Sequence, residues 1–390
     1  MKKYSKKIIG FALIFIMLLT LTACGSYARY HYNLVGAFQT ESQVVFWEKK
    51  VFHPKSAYDK VIQKLNDELT SLDNKFNIQD RGDGIITDLM EVNNNAGIAP
   101  VVVDKEVIDV IKLAIEVAEE TIVDEVVLYD VTIAPIWKLW DFPGKTYSQA
   151  LTYEAPAEEQ IQGLLDLVNY KDIEINEEES TVYLKNQGMG IDLGSIVKGY
   201  AADKLKNILV EEGIKKGYVD IGRNILLIGS GMDNDTKDAP FPVRVATPYI
   251  SVLNPKYEEL SSFCELKLID VTVVTSGTYE KYFKDAKGNE YHHLIDPRTG
   301  YPFANNVVSV SVITKESIKG DAYSTALFSL GLEKGMELVN SKADLDAVWV
   351  IKNNENYEVY ISEGLVDKFE LIESVKELNF VYKGVYKWEL

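Results

Sequence analysis

Apolar residues recur along this chain in two distinct rhythms. From Pro54 past Leu72, residues Val61, Ile62, Leu65, Leu69 and Leu72 fall at three- and four-residue steps, the spacing of one buried helical face. The same step predicts a second helix from about Lys105 to Thr121, through Val107, Ile108, Val110, Ile111, Leu113, Ala114 and Val117. A third helix is predicted over about Ser195 to Val210, and two more over about 320–330 and 333–341. Short β-prone runs lie between them: Ser42–Phe46, Thr181–Leu184, Tyr218–Ile221, Ile225–Ile228, Val271–Thr275, Val307–Ile313 and Ala347–Ile351. The tail adds Tyr357–Ile361, Phe380–Tyr382 and Val385–Trp388. Helices and strands do not alternate regularly, which predicts an α+β fold with a mixed sheet and argues against a doubly wound one. No Pro/Gly/Ser-rich linker, low-complexity block or internal repeat interrupts the chain after Gly36, so residues 36–390 read as one domain.

The N-terminal end changes that picture. Lys2, Lys3, Lys6 and Lys7 precede an apolar run from Ile8 to Leu21, too short to span a bilayer and of the length of a secretory h-region. Leu21-Thr22-Ala23-Cys24 then resembles a bacterial lipobox. It predicts a signal peptide over 1–23, lipidation at Cys24, a polar and aromatic tether over residues 25–34, and residence at the extracytoplasmic face of the cell membrane. Cys264 is the only other cysteine, so no disulfide framework is available; its strand-like surroundings predict a buried, inert thiol.

Composition excludes two classes of partner. The formal charge of −18 falls by a further four, to −22, once the four lysines of the signal peptide are gone. Such an acidic surface does not suit nucleic acid or electrostatic adhesion to anionic lipid, leaving the lipid anchor as the membrane link.

Three segments hold candidate chemistry. Gly188-Met189-Gly190-Ile191-Asp192-Leu193-Gly194 follows a strand and opens a helix, but its last glycine falls one residue late for the dinucleotide fingerprint. A helix start still offers free N–H groups to a phosphate, with Asp192 as a candidate cap and Lys198 and Gly199 where a diphosphate would sit. A tight turn with a surface lysine is the competing reading. Asp321 and Thr325, four residues apart, share one helical face and form a hard oxygen pair suited to Mg²⁺. Each also has an ordinary helical use, as a dipole partner and as a donor to the i−4 carbonyl. His292 and His293 precede the turn-dense Asp296-Pro297-Arg298-Thr299-Gly300-Tyr301-Pro302, where a histidine on a rigid loop is a candidate general base. Asp296 either partners that histidine or serves only the turn. A zinc cluster and a G-x-S-x-G nucleophile are both absent from the sequence.

Together and in this order, these segments resemble the ApbE family of flavin transferases, over about residues 36 to 350. Asp192-Leu193-Gly194-Ser195-Ile196-Val197-Lys198-Gly199-Tyr200 is similar to the family's D-L-G-(G/A)-I-(A/V)-K-G-(Y/W). Thr275-Ser276-Gly277-Thr278-Tyr279 is similar to T-S-G-(D/N)-Y, and His293 through Gly300 to H-(I/L)-(I/L)-D-P-x-T-G. Asp321 through Leu330 resembles D-A-x-x-T-A-L-F, and Asp130-Val131-Thr132-Ile133-Ala134-Pro135 with Trp140 resembles D-x-T-x-x-P ending at a tryptophan.

The resemblance implies a single mixed-sheet, T-fold-related domain. It also implies Mg²⁺ held by Asp321, Thr325 and the Ser195 carbonyl, FAD contacts from Tyr129, Asp130, Thr132, Asp192, Lys198, Ile295 and Ser324, and His293 as base. The implied reaction moves FMN from FAD to a threonine of an extracytoplasmic electron-transfer flavoprotein and releases AMP. Hydrolysis of FAD to FMN and AMP, and a catalytically inactive flavin- or solute-binding lipoprotein, are the alternatives. Three segments depart from the family pattern. Val219-Asp220-Ile221-Gly222-Arg223-Asn224-Ile225 stands for V-N-x-G-G-D-(I/L), Thr278 replaces an acid or amide, and Phe38-Gln39-Thr40 replaces M-G-T. The tail beyond about residue 352 lies outside the resemblance.

Overall fold

The computed structural model describes residues 27–49, 54–146 and 153–387. The signal peptide, Cys24 and Trp388 at the end of the last expected strand lie outside them. No helix among the described residues is long and apolar enough to cross a membrane.

A nine-stranded sheet forms the frame, its strands lying side by side in chain order. They are β1 (Tyr27–Asn33), β2 (Ser42–Lys49), β3 (Gly217–Ile221), β4 (Asn224–Ile228), β5 (Thr272–Gly277), β6 (Val307–Thr314), β7 (Asp346–Asn353), β8 (Asn356–Ile361) and β9 (Phe380–Val385). Neighbours are antiparallel up to β8, and β9 returns parallel to β8, so the sheet is mixed as the sequence predicts. Four long helices accompany it: α1 (Asp59–Phe76), α2 (Lys105–Glu119), α3 (Val197–Glu211) and α4 (Ser317–Asn340).

Both faces of the sheet are covered, which explains the near-continuous apolar runs of its central strands. Leu226, Ile228, Val310, Val312, Ala347, Trp349 and Ile351 join the core shared with the helices. Alternate residues Leu227, Val273, Ile313, Val348 and Val350 face a second sheet of Phe241–Ala246, Ser262–Leu268 and Phe369–Leu371. Side chains alternate across a strand, so each strand feeds both cores. Cys264 lies in the second sheet, free and buried, and burial pushes its thiol pKa up, as an inert thiol requires.

Three expectations need correction. The segment taken as a tether supplies β1, paired with β2 from Tyr27↔Lys49 to Asn33↔Gln43. Tyr30 and Tyr32 stack on Phe46 with ring centroids 5.4 and 6.0 Å apart, which holds this edge strand down. Helix α3 starts at Val197 instead of Ser195. Residues 380–385 form one strand, with no separate strand beginning at Val385. The two helices expected after residue 320 do occur, as halves of α4 divided where Gly331 turns to φ 77°.

What positions the site is the contact between α3 and α4. Asp203 of α3 accepts from the N–H groups of Ser317 and Ile318, both at 2.9 Å, and so caps the start of α4. Gly199 allows the close approach: a Cβ there would lie 2.1 Å from the Ser317 carbonyl oxygen.

Candidate active site

Where α3, α4, the β3–β4 turn and the loop after β5 converge, they enclose a cavity of about 460 Å³. Tyr129, Asp130, Asp192, Ser195, Lys198, His293, Ile295, Asp321 and Thr325 line it. Segments far apart in sequence are thereby brought together. Thr132 and Ser324 stand behind this lining: the Thr132 hydroxyl donates to Asp130 Oδ1 at 2.6 Å, and the Ser324 hydroxyl to the Asp321 carbonyl at 2.7 Å. Both are buried and support residues that do reach the cavity.

Asp321 is 3% exposed, and each of its oxygens has a defined neighbour. Oδ2 accepts from the Gly199 N–H at 2.9 Å, while Oδ1 lies 3.5 Å from Lys198 Nζ. Gly199, expected at a diphosphate, thus spends its N–H on Asp321 and its missing side chain on helix packing. One turn on, Thr325 Oγ1 is 3.2 Å from Ser276 Oγ, which also bonds Ser324 Oγ at 2.8 Å. Ser195 presents itself across the cavity, its hydroxyl 2.9 Å from that of Tyr129. No group of three or more His, Cys, Asp or Glu side chains able to hold a metal occurs among the described residues. One carboxylate, one hydroxyl and a backbone carbonyl do fit a hard divalent cation that keeps waters of its own. The Lys198 ammonium already places one positive charge beside that carboxylate.

Asp192 does not cap α3. Its Oδ1 accepts from the Gly194 N–H at 2.8 Å and closes the turn ahead of the helix, whose cap position is Ile196. Asp130 is likewise committed to the chain: Oδ1 takes the Thr132 N–H at 2.8 Å, Oδ2 the Tyr170 N–H at 2.9 Å. Burial raises the pKa of both carboxylates.

The histidine loop is built on its own turn. Asp296 pairs with Arg298 through Nε–Oδ1 at 2.9 Å and Nη2–Oδ2 at 2.6 Å, and it accepts the Arg298 N–H. It therefore serves the turn, not the histidine. The Gly300 carbonyl accepts from Trp140 Nε1 at 2.7 Å, anchoring the turn on an aromatic cluster with Phe142 and Phe283. His292 faces inward, its Nε2 3.3 Å from the Phe303 carbonyl, and burial lowers its pKa to about 4. His293 faces the cavity with Nδ1 buried and without a hydrogen-bond partner. Desolvation, then the positive charges of Lys281, His292 and Lys198, push its pKa down to about 3. It is a neutral imidazole at pH 7, the form in which a histidine can act as an acceptor of a proton.

Sequence reasoning gave no role to Glu280, Lys281, Gln79 or Trp137, all cavity-lining. Burial raises the pKa of Glu280 against Lys198, Arg223 and Lys281; desolvation, then Lys198, lowers that of Lys281. The signal was present but unspecific: two charges directly after an apolar strand, which more often mark a solvated end. The cavity thus holds a base, three cations and a hard oxygen site, the parts needed to shift a phosphorus from one oxygen to another.

Known proteins resemble this chain in sequence and in fold. The profile of the ApbE family fits residues 38–349. An FAD:protein FMN transferase of Klebsiella pneumoniae (strain 342) is 32% identical over 68% of this chain and 76% of its own length. One from Treponema pallidum (strain Nichols) is 29% identical over 73% of this chain and 76% of its own. The flavin transferase ApbE from Vibrio cholerae superposes with a TM-score of 0.71 at 21% identity, covering 88% of this chain and 99% of that one. The ApbE protein from Thermotoga maritima gives 0.68 at 26% identity, covering 90% and 99%.

Proposed function

This chain belongs to the ApbE family of FAD:protein FMN transferases, and from that premise we propose a Mg²⁺-dependent reaction that joins FMN through a phosphoester to a threonine of an acceptor flavoprotein and releases AMP. The convergence of Asp321, Thr325, Ser195, Lys198 and His293 on one cavity carries the proposal. Asp321, Thr325 and the Ser195 carbonyl would hold the metal, which when bound neutralises charge on the diphosphate. Lys198 and Lys281 add positive charge beside it. The acceptor hydroxyl oxygen bonds to the FMN-side phosphorus while the P–O bond to the AMP phosphate breaks. AMP leaves with that electron pair, and the hydroxyl proton passes to the neutral imidazole of His293.

The acceptor is proposed to be an electron-transfer flavoprotein outside the cytoplasm, met by an enzyme held at the membrane through lipid on Cys24. The basic, apolar and small-residue order of residues 2–24 supports this. Tethering would raise the local concentration of membrane-bound acceptors. Fractionation of wild type and Cys24→Ser tests it: the reading requires wild type in the membrane fraction and release of the variant, and a membrane-bound variant contradicts it. The chemistry is tested by incubating the protein with FAD, Mg²⁺ and an acceptor flavoprotein and following AMP release and covalent flavin fluorescence. AMP with free FMN and an unlabelled acceptor would contradict transfer.

A further inference from the structure

Arg223 is a cavity residue held in a conformation that arginine does not favour. Ile221 pairs with Asn224 across the β3–β4 hairpin, so Gly222 and Arg223 form a two-residue turn. Their φ angles are 58° and 70°. A turn with both central residues left-handed is normally built from glycine, asparagine or aspartate, and the ApbE pattern carries glycine at both positions. An arginine there costs backbone energy, and strain of this kind gathers at functional positions.

The neighbouring turn repeats the departure and sharpens the contrast. Gln39, where the pattern M-G-T has glycine, also sits at positive φ, 58°, and Thr40 packs against Gly222. The Gln39 side chain is committed, donating to Gln79 Oε1. The Arg223 guanidinium is not: among the described residues no carboxylate lies within 4.0 Å of it. Asp220, in the same hairpin, takes the Arg223 backbone N–H at 2.9 Å and Gln43 Nε2 at 2.9 Å. Next on the turn, Asn224 replaces the pattern's aspartate. It is 1% exposed, lines the cavity, accepts from the Ser317 hydroxyl at 2.7 Å and leaves Nδ2 buried without a partner. The turn therefore offers a free guanidinium and an unpartnered amide where the family pattern places glycine and a carboxylate.

We propose that Arg223, seconded by the Asn224 amide, binds the AMP-side phosphate of the FAD diphosphate and holds it as AMP departs. The inference rests on the transferase reading above. The Lys281 carbonyl accepts the His293 backbone N–H at 3.0 Å and Lys198 Nζ lies 3.5 Å from Asp321 Oδ1, so those cations are already placed beside the base and the metal pair. Arg223 enters the cavity from the β3–β4 turn instead and pairs with neither of them, which leaves it for the second phosphate. When the bridging P–O bond breaks, its electron pair stays on the AMP phosphate, which gains a negative charge. A guanidinium meets such a group with two parallel N–H donors and gives up no proton.

The test is calorimetric titration of AMP and of adenosine into wild type, Arg223→Gly and Arg223→Lys in Mg²⁺ buffer, with melting curves of the unliganded proteins and an FAD titration as reference. Wild type should bind AMP at least about tenfold more tightly than adenosine, Arg223→Gly should lose that preference, and Arg223→Lys should keep part of it. Unliganded Arg223→Gly should melt no lower than wild type, because glycine suits φ 70°. A glycine variant that keeps the AMP preference overturns the proposal. So does one that melts lower and weakens both ligands alike, which marks a structural role. FAD binding without an AMP preference in wild type sinks this inference alone; no binding of FAD or AMP sinks the transferase reading with it.

Discussion

The backbone N–H of Gly199 donates to Asp321 Oδ2 at 2.9 Å, so the contact that joins α3 to α4 also orients the carboxylate assigned to the metal. The same glycine leaves no room for a side chain: its Cβ would lie 2.1 Å from the Ser317 carbonyl and 2.8 Å from Asp321 Cβ. Gly199→Ala should therefore lower stability by about 1–3 kcal/mol, read from the urea midpoint. It should also cut kcat by roughly 100-fold, because a shift of about 1 Å at the carboxylate misplaces the reacting group.

Asp321 separates metal binding from folding. Asp321→Ala strips the Gly199 N–H of its acceptor and should cost about 1–3 kcal/mol, whereas Asp321→Asn keeps an acceptor oxygen and should melt closer to wild type. Both should lose the stimulation by Mg²⁺ that wild type shows and EDTA removes. A fully Mg²⁺-stimulated Asp321→Asn would remove this residue from the metal site.

The low pKa of His293, about 3, has a consequence for the pH profile. The free enzyme holds this imidazole neutral throughout pH 5–8, so kcat/KM should show no acid limb near 6.5. His293→Ala should lower kcat by about 10²–10⁴-fold at every pH in that range. An acid limb at 6.5 that vanishes in the variant would show a solvated, ordinary histidine.

Stability should fall on acidification through the same pair. Below pH 6.5 the unfolded chain protonates both imidazoles, while the folded chain does so only near 4 at His292 and 3 at His293. The folded state thus loses stability as pH drops from 6.5 toward 4. Glu280, Asp192 and Asp130, raised by burial, act in the opposite sense once the carboxylates titrate. His292→Asn should flatten the fall of the urea midpoint between pH 7 and 5, and an unchanged slope would contradict the assignment.

The family and the strongest elements were legible in the sequence because short motifs here coincide with turns and helix starts. Leu65, Leu69 and Leu72 repeat on one face of α1, and all are fully buried. Strand β1 was missed: Ala28, Tyr30 and Tyr32 do alternate with exposed Arg29, His31 and Asn33, but amphipathic tyrosines at a half-exposed sheet edge read as a polar segment. Its packing comes from aromatic stacking on Phe46, which appears only once β2 is beside it. Asp130 and Asp296 were legible as site-proximal, but their use is to hold turns. That distinction depends on where their oxygens point and not on residue type. Glu280 and Lys281 needed the cavity itself, since their desolvation comes from segments far away in sequence.

The most direct measurement incubates purified protein, FAD and Mg²⁺ with an acceptor flavoprotein and counts AMP released against flavin bound covalently. One AMP per flavin fixed to an acceptor threonine, abolished by EDTA and in Asp321→Asn, is the predicted result. AMP release with no flavin on the acceptor, or labelling indifferent to EDTA and to Asp321, would contradict the account.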